Sequence, residues 1–100
     1  MYKNQLPNLN NCNVGVIGLG YVGLPLALKI ANQKKCLKTQ KKLNRKIIGY
    51  DINKLRIDQL KNGIDKNNIF NKKIIKETKN IKFTNNKNLL KNVDIFIVTV

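Results

Sequence analysis

A chain of 100 residues is the size of one small domain, and a single hydrophobic core is the most it can build. Its 20 basic against 5 acidic residues give a formal charge of +15, but only Arg45 and Arg56 are arginine and only six side chains are aromatic, which disfavours nucleic acid, whose readers lean on arginine and stacking rings. Cys12 and Cys36, far apart in a chain without histidine, make neither a metal cluster nor a disulfide framework, so no metal is expected and a reducing cytoplasm is the natural compartment.

Residues 1–12 read as an extension ahead of the folded part, 13–100. Residues 5–28 carry no charge and follow Lys3, as in an export signal, yet their apolar part is too short to span a membrane and holds Pro25 and three motif glycines. Neither export nor a membrane partner is therefore expected. Val14-Gly15-Val16-Ile17 is apolar throughout and rich in β-branching, the pattern of a strand buried on both faces of a parallel sheet. Leu24, Leu28 and Ala31 then recur at helical spacing, which predicts a helix over about 21–33 with Pro25 in its first turn, where a missing N–H costs little.

The stretch KKCLKTQKKLNRK, 34–46, holds seven basic residues in thirteen without helical or alternating order, so it reads as an exposed loop or a frayed helix end. Ile47-Ile48-Gly49-Tyr50 is a second strand closed by Asp51. Asn53 can cap a helix whose inward side is Ile57, Leu60 and Ile64, with Gly63 placed to end it. After polar residues 65–80, with a weak helical turn at Ile74 and Ile75, Ile81-Lys82-Phe83-Thr84 alternates like an edge strand. Leu89 and Leu90 mark a short helix, and 94–100 end the chain in another continuously apolar strand.

Four strands alternating with helices predict an α/β fold, a Rossmann-type doubly wound parallel sheet. In its usual order, 3-2-1-4-5-6, the fourth strand is internal, whereas here nothing follows it. That leaves an apolar edge, an aggregation hazard, so the chain is expected to be a piece of a larger protein, its sheet truncated after the fourth strand.

Gly18, Gly20 and Gly23 stand as Gly-x-Gly-x-x-Gly between the first strand and the first helix. Alone this pattern is weak, but with a strand before it, a helix after it and an acidic residue ending strand two it is a dinucleotide fingerprint. Asp51 follows Gly23 by 28 residues rather than about twenty, an excess that the Lys-rich stretch absorbs as loop. Gly18 would permit the tight turn, Gly20 the approach of a pyrophosphate, and Gly23 close packing of helix on strand. The N–H groups of Tyr21 and Val22, at the positive end of the helix dipole, would face the phosphates. Asp51 would accept the adenosine ribose hydroxyls and repel a 2′-phosphate, favouring NAD over NADP. Arg56 would either flank the ribose or adenine or be a solvated helix residue. A P-loop fails for want of Gly-Lys-Ser/Thr, and a kinase glycine loop fails at Pro25.

The runs VIGLGYVGLPLA, IIGYDINKLRIDQLKNGID, IKFT and VDIFIVTV, in that order, resemble the amino-terminal domain of the UDP-glucose/GDP-mannose dehydrogenase family, over nearly all of 13–100. Gly63-Ile64-Asp65 followed by polar residues is similar to the branch acting on UDP-N-acetylhexosamines, including the Vi-polysaccharide type, and the Pro-Ile-x-Glu-Pro-Gly-like stretch of the UDP-glucose enzymes is absent. The resemblance implies a partial NAD-binding domain of an enzyme that oxidises the C6 alcohol of a UDP-sugar, UDP-N-acetylglucosamine or UDP-N-acetylgalactosamine, to a carboxylate for surface polysaccharide biosynthesis. Two NAD are used, through a cysteine thiohemiacetal and thioester. It assigns Gly18, Leu19, Gly20, Tyr21, Val22 and Gly23 to the pyrophosphate side, Asp51 and Arg56 to the adenosine, and the backbone of Val100 to the neighbourhood of the cofactor. It also implies a homo-oligomer at full length. The stretch 34–46 is longer than the family norm, and the family's catalytic Cys, Lys and Asn correspond to positions beyond Val100. Neither Cys12 nor Cys36 matches that nucleophile, so no catalytic residue is assigned and the 100 residues alone are expected to be inactive. The competing readings are a β-hydroxyacid or hydroxyacyl dehydrogenase fragment and a non-catalytic NAD-binding module.

Overall fold

The computed structural model describes residue 6 and residues 8–65 and 72–99. Four strands, β1 (Asn13–Ile17), β2 (Lys46–Tyr50), β3 (Ile81–Thr84) and β4 (Ile95–Val98), form one all-parallel sheet in the order β3-β2-β1-β4. These are the first four positions, 3-2-1-4, of the expected doubly wound order. The helices are α1 (Gly23–Asn32), α2 (Lys54–Lys61) and α3 (Lys72–Glu77), with a 3₁₀ segment at Lys87–Asn92.

Register explains where the core lies. Val14 pairs with Ile47 and Ile95, and Val16 with Gly49 and Ile97, so one sheet face presents a continuous apolar layer. Against it pack Leu24, Ala27, Leu28 and Ala31 of α1 and Ile57 and Leu60 of α2, all 2% exposed or less. The alternate residues, Gly15 paired with Ile48 and Phe96, face the other way. There Val93 and Leu90 lie so close that a Cβ on Gly15 would stand 3.0 Å from Val93 Cγ1. Phe96 and Val98 on β4 are 52% and 69% exposed, so this last strand is apolar throughout yet not buried on both faces. β4 is also a sheet edge among the described residues, as β3 is on the far side.

Three sequence expectations need correction. α1 starts at Gly23, because Tyr21 and Val22 belong to the turn and Val22 stands as its N-cap. Ile64 is not on the inward side of α2: the helix ends at Lys61, Gly63 turns the chain at φ +76, and Ile64 emerges 51% exposed. Residues 34–45 are neither frayed helix nor plain loop. Lys35 bridges Lys42 antiparallel, Cys36 N–H donates to Lys41 O (2.9 Å), and Leu43 N–H to Lys34 O (2.8 Å). The buried Leu43 side chain anchors this small hairpin.

Candidate functional site

The carboxyl ends of β1 and β2 meet the start of α1, and the glycine turn sits in that corner. Gly18 leaves β1 at φ +94, and a Cβ there would come within 2.6 Å of Thr99 O and 2.8 Å of Thr99 Oγ1. Only glycine fits on both counts. At Gly23 a Cβ would overlap Gly18 O outright, so α1 can lie this close to β1 only without a side chain. Nothing stands within 4 Å of a Cβ built on Gly20, whose flank is open.

Leu19 pins the turn. Its side chain is fully buried, its N–H donates to Asp51 Oδ2 (2.9 Å), and its carbonyl accepts from Arg56 Nε (2.8 Å). Asp51 Oδ1 accepts the N–H of Asn53 (2.9 Å), so one carboxylate fixes the glycine turn and the approach to α2 together. Asn53 then caps α2 by accepting Arg56 N–H (3.2 Å). A carboxylate has about four lone-pair sites, and these bonds use two, leaving Asp51 acceptor capacity on a half-exposed group.

Arg56 is not a solvated helix residue. Its side chain is 11% exposed, and Nη1 holds the fully buried Asp65 carboxylate at 2.9 Å. The guanidinium thus ties the turn, through Leu19 O, to the chain beyond Gly63. Val100 lies outside the described residues.

Gly20, Tyr21 and Val22 supply the other half of the site: among the described residues their N–H groups meet no protein acceptor. They gather at the N-terminus of α1, whose first turn holds no acidic side chain to offset its dipole. Free donors, a positive helix end and the open flank at Gly20 suit a pyrophosphate, and the spare lone pairs of Asp51 suit ribose hydroxyls. The residues present therefore fit a dinucleotide.

Sequence reasoning missed two braces and one surface. Thr99 donates its hydroxyl to Gly18 O (2.8 Å) and its N–H to Ile17 O (2.8 Å), locking the turn from β4. Asp65 entered only as part of a motif. A half-buried threonine or buried aspartate partner has no signal in sequence, because it depends on which chain segments become neighbours. Ile52, beside Asp51, is 84% exposed and offers an apolar face next to the carboxylate. Of the cysteines, Cys12 is buried in the core, while Cys36 is half-buried in the hairpin. The Thr39 hydroxyl and the backbone around Thr39 and Lys38 hold the Cys36 thiol below its usual range. No group of three His, Cys, Asp or Glu able to hold a metal occurs among the described residues.

Residues 12–100 match the NAD binding domain of the UDP-glucose/GDP-mannose dehydrogenase family. Protein CapL of Staphylococcus aureus is 41% identical over 90 residues, 90% of this chain and 18% of that protein. The UDP-N-acetyl-D-glucosamine 6-dehydrogenase of Salmonella typhi is 35% identical over 92 residues, 92% of this chain and 19% of that one. Among solved structures, the UDP-D-ManNAc dehydrogenase of Pyrococcus horikoshii superposes with a TM-score of 0.69 at 28% identity, over 88% of this chain and 20% of its own. The chain thus spans about a fifth of the length of the relatives it matches.

Proposed function

Because the chain belongs to the UDP-glucose/GDP-mannose dehydrogenase family and carries its NAD-binding domain, we propose that it is the cofactor-holding part of an enzyme that oxidises the C6 alcohol of a UDP-N-acetylhexosamine to a carboxylate. N-acetylated hexosamines are the sugars named for both the Salmonella and the Pyrococcus relatives, which supports that class. Within the class, UDP-N-acetylglucosamine and UDP-N-acetylgalactosamine are our first choices. The reaction belongs in the cytoplasm, in a homo-oligomer, and supplies precursors for a surface polysaccharide. The 100 residues alone would hold cofactor without turning over sugar.

NAD, when bound, accepts hydride from the alcohol carbon. The residues of this chain bind and orient it. The N–H groups of Gly20, Tyr21 and Val22 donate to pyrophosphate oxygens, and the absent side chain of Gly20 lets them approach. Asp51 accepts the 2′- and 3′-hydroxyls of the adenosine ribose, while its charge repels the 2′-phosphate of NADP. The exposed Ile52 would offer an apolar face to the adenine. Arg56 acts from beneath, keeping Leu19 and therefore the turn in place, and Val100 would approach the cofactor by its backbone.

The observation that carries this reading is Asp51, held by two backbone N–H groups with acceptor capacity to spare at the end of β2. Titration of the chain with NADH and NADPH, followed by cofactor fluorescence, tests it. NADH should bind at least about tenfold more tightly, a difference of roughly 1.4 kcal/mol. Equal affinities would remove Asp51 from the ribose. For the sugar, NADH formed per UDP-N-acetylhexosamine consumed by the complete enzyme should be two; a value of one would indicate simple alcohol oxidation of the hydroxyacid-dehydrogenase kind.

A further inference from the structure

The far end of α1 carries a second concave surface. Between the last two turns of α1 and the 34–45 hairpin lies an open groove of about 520 Å³. This is within the usual size range of ligand sites. Its floor is apolar: Leu43 is buried, and Leu26 and Ile30 are half-buried along one stripe of α1. Leu37 stands at the margin, 81% exposed. The lining begins at Leu26, three residues or about 4.5 Å past Gly23, and includes neither the glycine turn nor Asp51, so the groove is separate from that corner.

The margin is cationic. Lys29, Lys35, Lys38 and Arg45 surround the apolar floor, and none has an ion-pair partner among the described residues. Arg45 does donate Nε to Leu9 O at 2.7 Å, which fixes its direction. None of the five acidic residues of the chain falls between Gln33 and Tyr50. An apolar trough ringed by four unneutralised cations selects a ligand that is apolar on one side and anionic on both flanks. A second copy of the chain, itself at +15, is repelled. A flat bilayer reaches Leu37 but cannot follow the surface down to Leu43.

We propose that this groove docks an acidic amphipathic segment of a partner protein, seated as a helix with its apolar stripe on Leu26, Ile30 and Leu43 and its carboxylates against Lys29, Lys35, Lys38 and Arg45. Recognition is of the helix-in-groove kind, with apolar anchors at i, i+3, i+4 and i+7 giving affinity and the cationic margin giving orientation and encounter rate. The proposal is independent of the cofactor reading, since it uses neither the glycine turn nor Asp51.

Cys36 lies in the groove wall and reports on it, because Cys12 is buried. The probe is a fluorescent synthetic peptide of glutamate and leucine, about 18 residues or five helical turns, with leucines in one stripe. Two readouts are taken on the folded chain: peptide anisotropy, and the rate at which iodoacetamide, a neutral reagent, alkylates Cys36, located by mass spectrometry. Saturating peptide should slow alkylation about tenfold. Lys35→Glu/Lys38→Glu should weaken binding about tenfold, whereas Lys72→Glu/Lys73→Glu, the same charge change on α3, should alter it less than about twofold. Equal loss in both double variants, equal binding of a peptide with scrambled leucines, or an unprotected Cys36 would overturn the proposal. So would protection of Cys36 by phosphatidylglycerol vesicles or by poly(U) but not by the peptide, which would make the surface a membrane or RNA contact.

Discussion

The two ends of α1 are built on opposite principles. At its N-terminus the frame of the turn is claimed by particular residues, Asp51 taking Leu19 N–H, Arg56 taking Leu19 O and Thr99 taking Gly18 O, while among the described residues the N–H groups of Gly20, Tyr21 and Val22 are left open there. At its C-terminus the 34–45 hairpin is held mainly by backbone hydrogen bonds and one buried leucine, Leu43, with Lys34 Nζ on Ala31 O and Arg45 Nε on Leu9 O as side-chain ties, while Lys35, Lys38, Lys41 and Lys42 are exposed. Side-chain identity is over-determined at the first end, where replacements collide with fixed atoms. It is freer at the second, where apart from Lys34, Leu43 and Arg45 the hairpin relies on main-chain bonds. Substitutions should therefore grade from severe to silent between the two ends.

The greatest effect is expected for Gly23→Ala. A methyl group there overlaps Gly18 O, a backbone atom that Thr99 holds in place, so neither partner can yield cheaply. The cost should reach about 3 kcal/mol, the upper end of overpacking penalties, with NADH binding lost. Urea unfolding measures the first and cofactor fluorescence the second. Tolerance of this alanine would mean that the corner is looser than its contacts imply.

Arg56→Ala comes next, at roughly 2–3 kcal/mol. It deletes two charge-assisted hydrogen bonds, to Leu19 O and to the buried Asp65. Lysine cannot reproduce a fork that serves two acceptors at once, so Arg56→Lys should recover less than half of the loss. Full rescue by lysine would reduce the arginine to a point charge. Asp51→Asn should cost about 1–2 kcal/mol of stability, because one of the Leu19 and Asn53 N–H groups must lose its acceptor. NADH affinity should fall about tenfold while the preference over NADPH narrows. An unchanged preference would place discrimination elsewhere.

The fold and the corner were differently legible in the sequence. Strand order followed from apolar runs separated by helical spacing, and the glycine spacing with Asp51 pointed to the candidate corner, because those residues obey backbone constraints that repeat along the chain. Ile64 was misplaced because helical periodicity continues past Gly63 on paper, whereas the backbone turns there at φ +76. The apolar run 94–100 marked a strand but not its cover, since such a run says nothing about whether a layer packs on it, and Phe96 and Val98 are exposed. Thr99 and Asp65 were invisible as braces, since each acts on an element distant in sequence. Residues 34–45 carried no period at all, and their hairpin is held largely by main-chain bonds that leave no pattern in sequence.

At the hairpin end effects should shrink and then change sign. Thr39→Val removes the hydroxyl that stabilises the Cys36 thiolate, so the thiol should titrate higher and alkylate more slowly near neutral pH, with stability unmoved. Lys41→Gln/Lys42→Gln goes further. Both side chains are exposed and neither has an ion-pair partner among the described residues, so nothing favourable is lost. Two charges are removed from a chain at +15, which relieves self-repulsion. The double variant should gain a few tenths of a kcal/mol at low salt, within the usual range for surface changes. The gain should vanish at 1 M salt, where the Debye length is about 3 Å. A loss above about 1 kcal/mol at both ionic strengths would show that these lysines are structural and that the hairpin is as constrained as the glycine corner.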